Sequence, residues 1–421
     1  MANKLIIFED NNYVNFHPLT LNRPVFTLRC GAFELWEKIA KNFVDYTLAY
    51  SCREEIAPSL RQEANSEVNT IDYQGGDKLV FINGRLRLGP KLVNEIKTCT
   101  ENRIFLHDKT TAAVVICEDF PNSDSQDINF TGDSESQLMG VKADLIQGEF
   151  EFYNYLWDLV NLNGNEISAD YTAYFSDFDL SKMIDSASID SSARILSQDN
   201  LYIAANAEIG ANCVIDNRKG PVIIDENAVI GPLSFIEGPC YIGRETQVFR
   251  SHIREGCSFG PVCRVGGEVE DSIFQGYTNK YHDGFMGHAY LGSWVNLGAM
   301  TTNSDLKNNY KDISVTLNGQ NVNTGCMKIG CFIGDHTKTG IDTLINTGVS
   351  IGFSCNIYGG TLVTSSEVPS FSWGDESGYD IYKLDKAIEV ARASMARRNI
   401  KMNSPVENIF SHIFENRLGN L

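Results

Sequence analysis

The chain has 421 residues, with 54 acidic against 35 basic side chains and a formal charge of -19, which leaves no basic footprint for nucleic acid. Its 43% hydrophobic and 10% aromatic content supplies a large core and excludes wholesale disorder, and the length allows two or three domains. No stretch approaches the roughly 18 apolar residues of a membrane span, and eleven scattered cysteines without a CxxC spacing read as a reduced, cytoplasmic protein.

In chain order, MANKLIIFED reads as a first strand over 4–8 rather than a signal peptide. Over 32–43, Phe33, Trp36, Ile39, Ala40 and Phe43 fall at helical spacing after Gly31. Apolar runs at 46–49, 79–82 and 112–116 predict strands, with a helix at 90–98. Strands alternating with helices predict an α/β sheet. The polar, acidic stretch 121–137 predicts a mobile loop, and 149–162 an amphipathic helix leading out of the domain.

One segment in this region, His17-Pro-Leu-Thr-Leu-Asn-Arg-Pro24, resembles the PLT-x-x-RP motif of sugar-1-phosphate nucleotidyltransferases. In that family a glycine-rich loop precedes the motif and a lysine follows its proline, because backbone N–H groups cradle phosphates and a cation offsets their charge. Here residues 9–17 read EDNNYVNFH, and Val25 stands where the lysine would; the nearby cation is Arg29. The family's magnesium site also wants an aspartate after a buried strand, whereas 79–82 is followed by Asn83-Gly84-Arg85. The resemblance implies a Rossmann-like nucleotidyltransferase-type domain with Thr20 and Arg23 at phosphate, and Mg2+ and a nucleoside triphosphate where that site works. The plain alternative is a turn between strand and helix.

From about residue 189 aliphatic residues recur every six positions: Ile203, Ile209, Ile215; then Ile224 to Val248; then, after a slip, Ile253, Phe259 and Val265. The beat returns at Phe285, Leu291 and Leu297, and again from Ile333 to Ile357, with glycine or small residues following. A period of six fits neither helix nor plain strand and is the signature of hexapeptide β-helix repeats. Two breaks, 275–283 and 302–328, bracket Tyr281–Asn303 and predict projecting loops, where function concentrates. His282 and His288 lie six apart, so the repeat is expected to point them the same way. After Ile357, residues 380–398 predict an amphipathic helix that caps the coil and ends in Arg397 and Arg398, where cations suit the helix dipole. A second short helix is expected over 404–421.

The repeat resembles that of hexapeptide acyltransferases. The segment His282–Thr301 (HDGFMGHAYLGSWVNLGAMT) resembles, without a gap, one in the bifunctional N-acetylglucosamine-1-phosphate uridyltransferase/glucosamine-1-phosphate acetyltransferases. Together with LKNNY and the closing MARR helix, the chain looks most like that family's divergent sugar nucleotidyltransferase branch. The resemblance implies a left-handed parallel β-helix, a homotrimer, and acetyl-CoA or another acyl-CoA bound between neighbouring coils. It places His282 on the catalytic histidine, Phe285 on a tyrosine, Asn296 on an asparagine, Lys280 near a lysine, and Ala299 and Thr301 in the CoA-contacting G-A-x-T run. His288 stands for an aspartate and Met300 for a glycine. Lys280, His288, Asn296, Arg264, Lys307 and Tyr310 are the candidates for holding a sugar phosphate or nucleotide sugar. No residues are assigned to a metal.

The expected division is a nucleotidyltransferase-like α/β domain at 1–170, a linker at 171–188, a hexapeptide-repeat domain at 189–365 and a C-terminal aromatic segment with helices at 366–421. The expected function is acyl-CoA-dependent N-acylation of an amino sugar phosphate or nucleotide sugar in the cytoplasm. The alternatives are a sugar-1-phosphate nucleotidyltransferase that uses the coil for assembly, and a non-catalytic trimeric scaffold.

Overall fold

A seven-stranded sheet runs in the order Glu67–Val68, Thr47–Ser51, Asn3–Phe8, Lys78–Asn83, Thr110–Ile116, Arg103–His107, Asp144–Gln147 in the computed structural model, which describes residues 3–73, 76–117, 130–132, 142–178 and 186–417. The chain divides into two units: 1–16, 22–28 and 34–154 form the first; 17–21, 29–33 and 155–421 form the second. In the first, the four leading strands are parallel and Thr110–Ile116 is antiparallel to its neighbours. Residues 5–8 and 79–82 are buried throughout, as strands covered on both faces must be. Their reversal of direction in strand order at Asn3–Phe8 gives a crevice at the carboxyl ends of Asn3–Phe8 and Lys78–Asn83.

The strands expected near 4–8, 46–49, 79–82 and 112–116 are present, and the expected helix is Pro90–Thr98. The helix expected over 32–43 is only Leu35–Ala40, started by a capping box between Glu34 and Glu37. The helix expected at 149–162 is instead Leu156–Tyr174. Residues 149–152 alternate polar and apolar with a period of two, and Phe152 bridges Leu86 in extended form. The loop expected at 121–137 lies outside the described residues except for 130–132.

In the second unit, strands stack in parallel into rows, and the chain passes from one row to the next at each corner. One row has nine strands, from Leu201–Ile203 to Glu367–Val368. Its inward column runs Ile224, Ile242, Phe259, Phe274, Leu291, Ile333, Ile351, Val368. The side chains of this column are essentially inaccessible, so the six-residue beat is the inward position of each face. Corners are turned by left-handed residues, with Asn206, Asn212 and Asn227 where the turn is cheapest for a side chain. Ile242→Ala is expected to lower stability by about 2–5 kcal/mol, since the coils above and below cannot collapse into the space. Its chemical denaturation midpoint checks this.

Three expectations need correction. Phe285 is partly exposed, and Met286, register partner of Val269, is the inward residue. Residues 275–283 do not project: Asn279–Lys280 is a strand of the coil. The stretch 302–328 begins in the coil with Thr302–Asn303 and leaves it further on, forming an antiparallel hairpin of Ser314–Leu317 and Gln320–Asn323. The chain closes with helices Leu384–Ala396 and Ser404–Asn416. Phe410 of the second helix meets Phe353 at 4.7 Å and His336 at 5.0 Å, which covers the last coils.

Candidate functional site

Register partners in the coil lie a full turn apart, as with Ile273 and Tyr290 or Phe332 and Ser350. Residues six apart therefore fall on successive faces, and His282 and His288 sit at different corners. Each corner gathers its own neighbours.

At the first corner His282 is exposed, between Tyr281 and Asp283. It lines a groove of about 530 Å³ with Pro232, Phe249, Arg250, Ala299 and Met300. No side chain among the described residues hydrogen-bonds its ring; Tyr281 meets it edge-on at 5.3 Å. Lys280 occupies the inward column, opposite Val265, and is 2% exposed. Its Nζ donates to the His282 carbonyl at 2.6 Å. Burial pushes this ammonium down to about 8, with Asp283 opposing. Lys280 thus fixes the His282 backbone from beneath. Thr301 is buried, its hydroxyl 2.9 Å from that of Thr339. Of that run, Ala299 and Met300 line the groove and Thr301 does not.

At the second corner His288 is buried, with Nδ1 2.9 Å from Asp305 and Nε2 3.5 Å from Asp271. Burial pushes Asp305 up, but its hydrogen bond with His288 and the nearby charges outweigh this and hold it below its ordinary value. Burial raises Asp271, against the pull of His288. Glu270, close enough to share a cation with Asp271 and His288, already holds Arg254 at 2.6 Å and Lys328 at 2.9 Å. The cluster is a brace of ion pairs and hydrogen bonds where the inserted 306–328 segment leaves and rejoins the coil.

The other candidates scatter. Arg264 is half-buried and its guanidinium donates to the carbonyls of Glu245, Val262 and Cys263. Asn296 is exposed and accepts from Asn279 Nδ2 at 3.3 Å. Lys307 reaches the Asp312 carbonyl at 3.4 Å, and Tyr310 is exposed. Sequence reasoning passed over Lys338, which with Asn296, Arg397 and Arg398 lines a separate cavity. Stacking Asn279, Asn296 and Lys338 by whole turns would have found it.

In the first unit, Arg23 lines a pocket of about 390 Å³ with Trp36, Tyr50, Glu34 and Glu63. Thr20 is buried, and Arg29 sits over the Tyr241 ring at 5.4 Å with its Nη1 donating to the Ala32 carbonyl; both are counted with the second unit. At the strand-end crevice, Asp10 is held by Arg85, with Nε donating at 2.8 Å, and by Asn83 at 2.9 Å. Glu9 accepts from Arg53 at 2.8 Å.

Residues 5–177 match the family model described as sugar nucleotidyl transferase. The chain is 31% identical over 169 residues to a bifunctional sugar-1-phosphate nucleotidylyltransferase/acetyltransferase of Sulfurisphaera tokodaii, covering 39% of this chain and 41% of that protein. It is 28% identical over 194 residues to the bifunctional protein GlmU of Acaryochloris marina, covering 41% of this chain and 39% of that one. The chain thus spans about two-fifths of the length of these curated relatives. Among solved structures, LpxA of Acinetobacter baumannii is 15% identical, with a TM-score of 0.28 over 55% of this chain and 90% of that one. The sequence matches show, at modest identity, the resemblance to sugar nucleotidyltransferases and to the bifunctional nucleotidyltransferase/acetyltransferases.

Proposed function

We propose that the protein is a transferase that moves an acyl group, acetyl foremost, from acyl-CoA to the amine of an amino sugar phosphate or nucleotide sugar, with His282 as general base. The observation that carries this is the corner groove. An exposed imidazole with no hydrogen-bond partner among the described residues faces Ala299 across an open channel. Imidazole exchanges protons at neutral pH, which suits a base for an amine.

The amine nitrogen attacks the thioester carbonyl, the C–N bond forms, and His282 takes the ammonium proton. The tetrahedral oxyanion is met by backbone N–H groups at the coil corner. Collapse breaks the C–S bond, and the proton passes to the leaving thiolate. Ala299 lies along the CoA arm, Thr301 braces that turn, and Lys280 holds His282 in place. None of Asn296, Arg264, Lys307 and Tyr310 lines the His282 groove, so as substrate contacts they would meet the end of the molecule remote from the reacting amine; His288 is read as bracing the inserted segment.

The coil is read as a left-handed β-helix and the assembly as a homotrimer. Leu233, Tyr281 and Met300 are exposed apolar residues on the rim of the His282 groove, which a second copy would help to enclose. Among the described residues no helix is long and apolar enough to cross a membrane. The substrates are water-soluble, and we place the protein in the cytoplasm. The expected boundaries at 188, 365 and 421 are proposed as they stand, while that at 170 gives way to 154, because helix Leu156–Tyr174 counts with the second unit.

The family match over 5–177 favours a second reading, nucleotidyl transfer to a sugar-1-phosphate. The strand-end crevice does not fit the Mg2+ of that reaction, because Asp10 and Glu9 are committed to Arg85 and Arg53. Incubation with acetyl-CoA and an amino-sugar phosphate panel is expected to release free thiol. No thiol across the panel, with pyrophosphate released from a nucleoside triphosphate and a sugar-1-phosphate, would favour the second reading.

A further inference from the structure

We infer that the cavity under the closing helix is an anion site built for a phosphate monoester, held by Lys338, Arg397 and Arg398. It is a cavity of about 220 Å³ whose walls also include Asn279, Asn296 and Trp294. No carboxylate lines it, in a chain of formal charge -19. Among the described residues, none of the three cations makes an ion pair. Lys338 Nζ donates only to the carbonyls of Trp294 at 3.3 Å and His336 at 3.0 Å. Arg398 gives one amino group to Asn279 Oδ1 at 3.3 Å, while its Nε is buried without a partner.

Cations gathered without counter-charge repel one another, and their placement is unfavourable until an anion arrives. Burial pushes Lys338 down to about 8. Arg264 lies below its ordinary range through burial and then through the charge of Arg398. The asparagine side chains add neutral donors suited to phosphate oxygens. Ligand pockets for whole organic molecules run to roughly 300–1,000 Å³, so this cavity takes the phosphate end of a ligand rather than all of it. The site does not depend on acyl transfer at His282.

The test is titration of the full chain with inorganic phosphate, followed by calorimetry and by tryptophan fluorescence, since Trp294 lines the cavity. Wild type is expected to bind, and Arg398→Gln to bind roughly tenfold more weakly or worse. Ser394 lines the same cavity one helical turn before the arginines. Ser394→Asp places a carboxylate three and four residues before Arg397 and Arg398, where it fills the role of the anion while its pairing with them offsets the unfavourable charge in the last helical turn. This variant is expected to lose phosphate binding with a Tm equal to or above that of wild type. Failure of wild type to bind, or unchanged binding in Ser394→Asp, overturns the inference. Further arms identify the source. Tighter binding of glucosamine 1-phosphate than of inorganic phosphate assigns the group to the acceptor. Tighter binding of CoA than of dephospho-CoA assigns it to the CoA 3′-phosphate. Either result supports the site.

Discussion

His282→Ala is expected to lower the rate of acyl transfer by about a hundred- to ten-thousand-fold, the range of a lost general base. The loss should fall on kcat, because the ring makes no contact that the folded coil needs and removes a proton only as the C–N bond forms. Thiol release at saturating acetyl-CoA measures it. His288→Ala is the matched control. Although six residues away, His288 faces another corner and is tied to Asp305. Its loss is expected to loosen the brace and cost stability, with far less effect on kcat. Equal losses in the two variants would mean that the proton is not taken at the exposed corner.

Arg85→Met is expected to destabilise the first unit by about 3–5 kcal/mol, because it leaves the Asp10 carboxylate buried without its cation. Arg85 is 1% exposed and Asp10 7%. Burial alone would raise Asp10, but its hydrogen bonds and charge contact with Arg85 outweigh that and hold it below the ordinary carboxylate value. The sign of the pH dependence follows. The stability this group contributes is present above its unfolded pKa of about 3.9 and is lost as pH falls through the depressed folded value. Glu9 is raised by burial despite Arg53 and works in the opposite direction. The useful quantity is therefore the difference between wild type and Asp10→Asn, which should shrink as the solution is acidified from pH 6. Acid and urea titrations of both proteins measure it; a constant difference across that range would contradict the pairing.

Much of the architecture is legible in the sequence because burial leaves a periodic trace. The central strands at 4–8 and 79–82 read as unbroken apolar runs, and they are buried on both faces. The coil reads as a period of six because one residue per face points inward. What the period hides is which residues meet. Contact partners are a full turn away, so His288 finds Asp305, and Asn296 finds Lys338, at separations that a six-residue rhythm does not display. Inward positions held by polar side chains are also invisible: Lys280 continues the column of Val265, yet in the sequence it reads as a substrate contact. The Arg85 and Asp10 pair joins the ends of two strands far apart in the chain, and only sheet order brings them together.

The most direct measurement of the central claim is the product mass from one incubation of wild type and His282→Ala with acetyl-CoA, nucleoside triphosphates and a panel of sugar phosphates. The predicted result is an amino sugar phosphate or nucleotide sugar heavier by one acetyl group, formed by wild type and not by His282→Ala, with free CoA in equal amount. Absence of any acylated product from wild type, or its undiminished formation by His282→Ala, would contradict it.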